Sequence, residues 1–275
     1  MLRVETNSAE GDPAVLVTAD DEDAAVAVVT LNRGAKRNAL TVELKEALLA
    51  ALEGVAADGS VRAVVLAGSG KSFCVGQDLG EHVRALEADA ATALDTVVRH
   101  YNPIVRTLAT MPKPVVAAIN GTAVGAGLGL ALACDLRVAA DSASFATAFS
   151  AIGLTADSGL SASLVHSLGA ARAIELLLLG EPFDAEQARA SGLVRTVVPA
   201  GEVLGAALEL ARRLAAGPTL AYAEIKRAVA TGAVSSLDAV LDAEAAAQAR
   251  LAATRDHREA VEAFLAKRRP SFEGA

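Results

Sequence analysis

The chain has 275 residues, of which 53% are hydrophobic and only 3% aromatic, so a large core would rest on Ala, Val and Leu. Its 25 basic and 33 acidic side chains give a net charge of −8, which argues against general nucleic-acid binding because that needs a basic surface. Two cysteines are too few for a disulfide framework, and the N-terminus lacks an apolar signal core. We therefore expect a cytoplasmic protein.

Strand and helix patterns alternate along the first two thirds of the chain. The β-branched run from Val26 to Leu31 predicts a strand, and Thr41 is expected to cap a helix that runs to Val55. The apolar face of this helix is predicted to consist of Val42, Leu44, Leu48, Leu49 and Leu52. Further strands are predicted at 61–67, 115–119, 135–140 and 143–149, and one helical region at 81–110. This alternation predicts an α/β fold.

The uncharged run between Pro114 and Asp135 is long enough to span a bilayer. It contains an Asn-Gly pair at 120–121, which is typical of a turn, and no basic anchor flanks it. The run is better explained as a buried strand, a turn and a buried helix that begins near Gly127. We expect no contact with a membrane.

The sequence pattern changes after residue 199. Alanine-rich helical patterns cover 201–216, 220–230, 237–253 and 257–267, with no strand pattern between them. We therefore divide the chain into a core at 1–199 and a C-terminal helical region at 200–275.

Glycine-bearing turns follow three predicted strands, at 68–79, 120–127 and 152–159. Turns of this kind present free backbone N–H groups to a ligand, and Gly76 and Gly125 would allow a close approach of the backbone. A single such turn is more often an ordinary tight turn. The GSGKS run lacks the spacing of a phosphate loop, so nucleotide triphosphate binding is not expected.

Taken together, several motifs resemble the enoyl-CoA hydratase/isomerase family, the crotonase superfamily, in the order that the family has them. They are LNRGAKRNAL (31–40), SFCVGQDL (72–79), the run at 112–140 that ends in ACDLRVAA, FATAFSAIGLTADSG (145–159), the run at 168–194 and FLAKRRPSF (264–272). The resemblance implies a spiral of β-β-α turns followed by an all-helical region used in trimer assembly. It also implies an acyl-CoA thioester as substrate, in a homotrimer or a dimer of trimers.

The resemblance further assigns residues to the binding of that thioester. Its carbonyl would lie between the backbone N–H groups of Gln77 and Ala126, an oxyanion hole in which enolate charge is stabilised. The residues implied in binding the CoA moiety are Lys36, Arg37, Ala39, Gly76, Asp78, Leu79, Gly125, Phe264 and Lys267. For Lys36 and Arg37 the alternative is a pair of solvated loop charges, and for Phe264 and Lys267 the end of an amphipathic helix. We expect no metal and no cofactor beyond the CoA of the substrate.

The chain departs from the family at the two glutamates that activate water in its hydratases. Gly129 and Phe149 occupy those positions, and neither is a general acid or base. Asp157 matches the acidic position of the family's isomerases, which favours a double-bond isomerase with Asp157 as the proton shuttle. Burial beside Phe149 and Leu154 would raise the pKa of this carboxyl to suit that task. The alternative is that Asp157 caps a helix that begins near Ser158.

Two other functions remain open from the sequence. A hydratase would need another carboxylate, for which Glu81 and Glu87 are the candidates near the glycine turn. A non-catalytic acyl-CoA binder would use Asp157 only as a helix cap. The dehalogenase branch of the superfamily also uses an Asp, but it needs a Trp, and the chain has none.

Overall fold

Two sheets form the core of the computed structural model, which describes residues 12–275. One sheet has six strands in the order β1-β2-β3-β5-β7-β10, and the other has four in the order β4-β6-β8-β9. The strands are β1 (Val15–Ala19), β2 (Val26–Leu31), β3 (Ala63–Gly68), β4 (Ser72–Cys74), β5 (Val115–Ile119), β6 (Thr122–Val124), β7 (Leu136–Ala140), β8 (Ser144–Ala146), β9 (Phe183–Asp184) and β10 (Thr196–Val198). Most of the N-terminal segment on which the expected lack of a signal core rests lies outside the described residues.

Eleven α-helices accompany these sheets within the described part of the chain. They are α1 (Val42–Ala57), α2 (Leu79–Ala88), α3 (Asn102–Thr110), α4 (Ala126–Ala133), α5 (Leu160–Leu168), α6 (Ala170–Leu179), α7 (Ala185–Ala190), α8 (Val203–Ala215), α9 (Thr219–Gly232), α10 (Leu237–Ala252) and α11 (Arg255–Leu265). The predicted strands and C-terminal helices are all present, within a few residues of their expected bounds.

A β-β-α unit repeats three times, as β3-β4-α2, β5-β6-α4 and β7-β8-α5. Each unit gives its first strand to the larger sheet and its second to the smaller, and successive units pair in parallel in both sheets. The strands β3 and β5 are buried almost throughout, which explains their continuous apolar sequences. The α/β expectation with a spiral of β-β-α turns is confirmed.

The segment at 81–110 does not form one helix. Helix α2 ends at Ala88, a π-helical turn occupies Val97–Tyr101, and α3 follows it. The Asp89 carboxylate accepts hydrogen bonds from the Ala91 amide and the Thr92 hydroxyl, at 2.9 and 3.0 Å. This local turn competes with the helix and stops it, although the alanine-rich sequence favours helix.

The apolar face predicted for α1 is wrong at one residue. Thr41 caps the helix as expected, since its side chain accepts a hydrogen bond from the Leu44 amide. Val42, however, is exposed, and Lys45 is completely buried beside Leu44 and Leu48. The buried face of α1 therefore includes an ammonium group.

Helix α8 packs against β3, β5 and β7, although it follows the boundary that we drew at residue 200. Its buried alanines lie on the larger sheet, so this helix completes the core. Helices α9, α10 and α11 follow, and α10 packs against both of the others. Among the described residues, no helix is long and apolar enough to cross a membrane.

Candidate active site

The strands β4, β6 and β8 are parallel, so their carboxyl ends meet at one edge of the smaller sheet. The segments that follow them touch one another. A Cβ placed on Gly76 would lie 3.0 Å from the Val124 carbonyl oxygen and 3.5 Å from the Ala126 nitrogen. The Gly125 amide in turn donates to the Ala146 carbonyl, at 3.0 Å. Two of the three predicted glycine turns are thus brought together at this edge.

Glycine is required at position 76 for two reasons. Its φ of +83° lies in the left-handed region, and a side chain there would press on the backbone of 124–126. The segment is also fixed from the other side, because the Leu40 amide donates to the Gly76 carbonyl and the Asp78 amide donates to the Leu40 carbonyl. The peptide N–H of Gln77 is held between these two anchors.

Two backbone amides are left without acceptors at this point. In the loops and turns that the structure describes, neither the Gln77 N–H nor the Ala126 N–H donates to another residue. Ala126 is the first residue of α4, so its N–H belongs to the electropositive end of the helix. Adjacent free N–H groups at a helix N-terminus stabilise a developing oxyanion. The assignment of these two amides to an oxyanion hole stays a prediction.

Asp157 lies in the turn that precedes α5, and this turn contacts α4. A Cβ placed on Gly129 would lie 2.6 Å from the Ser158 Cβ and 2.9 Å from the Ser158 carbonyl oxygen. Gly129 is three residues after Ala126, so the contact lies about one helical turn, roughly 5 Å, along α4 from the free amide. The missing side chain at 129 is therefore what lets the 157–158 turn dock beside the candidate oxyanion hole.

The Asp157 carboxylate accepts a hydrogen bond from the Ser158 hydroxyl, at 2.8 Å. Burial raises the pKa of this carboxyl above its ordinary value, while the Ser158 hydroxyl and the charge of Lys45 act in the opposite direction. Ser158 is buried with a φ of +53°, a strained conformation for a residue that is not glycine. Strain of this kind is common where a side chain is held for a task.

The helix-cap alternative for Asp157 is wrong. Helix α5 begins at Leu160, two residues later than predicted, and its N-cap is Gly159, which has no side chain. The Asp157 backbone carbonyl accepts from the Leu160 amide, but its carboxylate makes no capping bond.

The second position that lacks a glutamate forms an apolar wall. Phe149 is buried, and its ring atoms would lie 3.8 to 4.0 Å from a Cβ placed on Gly125. Leu154 is half-buried in the same loop. Of the two replacement carboxylates considered above, Glu81 accepts from the Val42 amide at 2.9 Å, and Glu87 is exposed.

The residues assigned to CoA fall into two groups. Lys36 and Arg37 are exposed at a short 3₁₀ turn, and Ala39 is half-buried with its carbonyl accepting from Arg33 at 2.5 Å. This loop leads directly into Leu40, which bonds the Gly76 segment. Asp78 caps α2, bonds with Arg33 at 3.5 Å, and is followed by Leu79, which is 64% exposed. Along the chain, Ala39 precedes Leu40 and Asp78 follows Gln77, so these two residues lie next to the candidate oxyanion hole.

Phe264 and Lys267 form the second group, at the end of α11. Phe264 is 82% exposed, and Lys267 is exposed with a φ of +54°. Within residues 12–275, no hydrogen bond links either of them to the loop at 33–40.

Two residues of this region escaped the sequence reasoning. Asn38 is buried, and its side-chain nitrogen donates to the carbonyls of Ser69, Ser72 and Phe73 at 2.9 to 3.0 Å, which fixes the strand that leads into the Gly76 turn. Its position before a helix cap gave no sign of these contacts. The second residue is Lys45. Its position next to Leu44, on the apolar face of α1, was the sequence signal that could have indicated its burial. The described residues contain no group of metal ligands.

Comparison with known proteins agrees with this geometry. A family model described as enoyl-CoA hydratase/isomerase matches residues 21–275. The chain belongs to this family. The crystal structure of a protein described as an enoyl-CoA hydratase/isomerase, from Mycobacterium abscessus, superimposes with a TM-score of 0.91 at 51% identity, covering 95% of this chain and all of that one. The fold is therefore the crotonase fold, as the sequence motifs implied.

Members of the enoyl-CoA hydratase/isomerase family that resemble this chain carry different activities in their names. The 1,2-epoxyphenylacetyl-CoA isomerase of Escherichia coli (strain K12) is 42% identical over 249 residues, 90% of this chain and 95% of the relative. A protein of Rhodobacter capsulatus described as an enoyl-CoA hydratase is also 42% identical, over 250 residues, 90% of this chain and 95% of that protein. Similarity thus identifies the family, and the reaction must be argued from the site.

Proposed function

We propose that this protein is an enoyl-CoA double-bond isomerase in which Asp157 moves the proton and the amides of Gln77 and Ala126 hold the thioester oxygen. The observation that carries the proposal is the contact between Gly129 and Ser158. Ser158 fills the space where a hydratase of this family has a glutamate side chain, and the Ser158 hydroxyl bonds the Asp157 carboxylate. The proposed site thus uses one carboxylate, that of Asp157, where the hydratases of the family use two glutamates.

The chemistry of one carboxylate suits isomerisation. Ionised Asp157 removes a proton from the carbon next to the thioester, and the electrons of that C–H bond pass into a dienolate whose oxygen accepts hydrogen bonds from the two amides. Asp157 then returns the same proton at the far end of the dienolate. The reaction needs no water, metal or redox partner. Burial raises the pKa of Asp157 toward neutral pH, where a carboxyl group can both accept and donate a proton.

Hydration is the competing function, favoured by the description of the Rhodobacter capsulatus relative. Addition of water needs a base to activate it and an acid to protonate the substrate. Position 149 carries a buried phenyl ring, position 129 has no side chain, and Glu81 is bonded to the start of α1. Asp157 alone would have to serve both roles.

We further propose that the substrate is an acyl-CoA and that the chain works as a homotrimer or a dimer of trimers. The exposed Lys36 and Arg37 suit the phosphates of CoA, and an exposed Phe264 suits contact with a neighbouring subunit. The cytoplasmic location stays a prediction from the sequence.

The test is to incubate the purified protein with 3-enoyl-CoA and 2-enoyl-CoA of several chain lengths in H₂¹⁸O and to follow the products by mass spectrometry. Isomerisation leaves the mass of the substrate unchanged, whereas hydration adds labelled water. We expect interconversion of the two enoyl isomers without incorporation of label. Rapid formation of labelled 3-hydroxyacyl-CoA without isomerisation would contradict the proposal and favour the hydratase.

A further inference from the structure

Lys45 is a completely buried lysine on α1, inside the polar region next to the candidate oxyanion hole. Its ammonium donates to the Gln77 side-chain oxygen at 3.2 Å and to the Thr96 hydroxyl at 2.6 Å. It also lies 5.1 Å from the centre of the Tyr101 ring. A buried cation is costly unless it is paired, yet both of these hydrogen-bond partners are neutral.

The Gln77 side chain is held from two directions. Its oxygen accepts hydrogen bonds from the Lys45 ammonium and from the Tyr101 hydroxyl, and Tyr101 is itself buried. Gln77 is also the residue whose backbone N–H is the proposed oxyanion donor. Because the side chain is anchored in the interior, the orientation of that peptide plane is coupled to the position of Lys45.

The charged and titratable groups around Lys45 come from each neighbouring element. Burial lowers the pKa of Lys45, and four carboxylates oppose that shift: Glu81, Asp157, Asp78 and Glu46. His100, on the π-helical turn, bonds the Thr96 hydroxyl at 3.0 Å, and burial lowers its pKa. Among these carboxylates, Asp157 is the proposed proton shuttle, and Lys45 is the cation that favours its ionised form.

We propose that Lys45 is a positioning residue for the proton transfer: it anchors the Gln77 side chain from the interior and so holds the Gln77 amide in the oxyanion hole. The inference rests on the proposed function for its catalytic meaning. Lys45 does not exchange a proton with the substrate. It acts through Gln77 by geometry.

The test compares Lys45→Met with Lys113→Met. Lys113 is a second buried lysine, but it donates to the carbonyls of Val55 and Asp58, at the far end of α1. Both variants remove a buried charge, so a purely structural effect would appear in both. We expect Lys45→Met to lower kcat/KM about 10- to 100-fold, mainly through kcat, because a small misplacement of a catalytic donor has effects of that size.

Two readouts separate positioning from folding. The acid limb of the pH–rate profile should move to higher pH in Lys45→Met, because loss of the cation raises the pKa of Asp157, and it should stay in place in Lys113→Met. The ¹³C signal of a bound acyl-CoA labelled at the thioester carbonyl should move back toward its free value in Lys45→Met alone. Absence of the carbonyl effect in a folded Lys45→Met protein would overturn the proposal.

A second variant and a second assay keep the test independent. Gln77→Leu retains the backbone amide but removes the anchor, so it should lose the carbonyl shift while the acid limb stays where it is in the wild type. If Lys45→Met does not fold, an unchanged carbonyl shift in Gln77→Leu overturns the anchoring role. Exchange of the α-protons of acyl-CoA in D₂O reports enolisation without isomerisation. Exchange that depends on Lys45 in a protein that isomerises nothing would refute the proposed function and support this inference.

Discussion

At the scale of single residues, the candidate site depends on how one carboxylate is held. Among the described residues, the Ser158 hydroxyl is the one group that donates to the Asp157 carboxylate, and the backbone of Ser158 is itself strained. Burial raises the pKa of Asp157, whereas the hydroxyl lowers it. The activity of the site in acid should therefore depend on this one hydrogen bond.

Replacement of Ser158 by Ala tests that dependence. The variant loses the hydrogen bond but keeps the Cβ that touches Gly129, so the pKa of Asp157 rises and less of it is ionised at a given pH. A lost hydrogen bond of about 1 kcal/mol predicts a fall in kcat/KM of roughly fivefold in acid and a smaller fall at alkaline pH. The pH–rate profiles of the variant and of Ser161→Ala, an exposed serine on α5, measure the effect. A fall that is equal at every pH would contradict this account.

Residues of the site differ in how visible they were in the sequence. Asp157, Gln77 and Ala126 lie in sequence motifs that occur in the same order as in the family. It was therefore predictable that these three residues belong to one site. Lys45 and Asn38 were not, because burial of a polar side chain depends on partners that lie 30 or more residues away along the chain. A lysine between leucines on a helix suggests a surface position until its partners are known.

At the scale of elements, the site is built by the docking of α4 on its neighbours. Strands β2 and β5 and the start of α1 were predictable, since periodicity and a capping threonine are local signals. The break after Ala88 and the late start of α5 were not. In both places a turn of one or two residues, at Asp89 and at Ser158, overrides the helical preference of the sequence around it.

Alanine at two helical glycines should have opposite effects on stability, because only Gly129 contacts the 157–158 turn. Gly129→Ala would place a methyl group 2.6 Å from the Ser158 Cβ, so we expect a loss of about 1–3 kcal/mol in the free energy of unfolding together with reduced activity. Gly54→Ala, in α1 with open space around it, should gain about 0.5–1 kcal/mol and leave activity unchanged. Denaturant unfolding measures both. Equal stability of the two variants would show that Ser158 does not lie against Gly129.

At the scale of the whole molecule, the C-terminal helices expose several large apolar side chains to solvent. Large apolar side chains on α9, α10 and α11 are more than half exposed, namely Ile225, Val229, Leu237, Leu241, Phe264 and Leu265. Exposed apolar patches of this kind favour association. The trimer implied by the sequence motifs would cover this surface.

Sedimentation of the purified protein tests the assembly. We expect a mass three or six times that of one chain, and the paired substitution Leu237→Glu and Leu241→Glu should lower it, because charge at exposed apolar positions opposes burial. A stable single chain at micromolar concentration would contradict the proposed assembly and leave Phe264 and Lys267 without a role at a neighbouring site.

The measurement that tests the central claim most directly is the activity of Asp157→Asn, with acyl-CoA binding followed by calorimetry in the same preparation. Asn keeps the size of the side chain and can still bond the Ser158 hydroxyl, but it cannot accept the substrate proton. We predict that isomerisation falls by about 10²–10⁴-fold, the usual contribution of a general base, while binding is retained. Isomerisation at the wild-type rate in this variant would contradict the assignment of Asp157 as the proton shuttle.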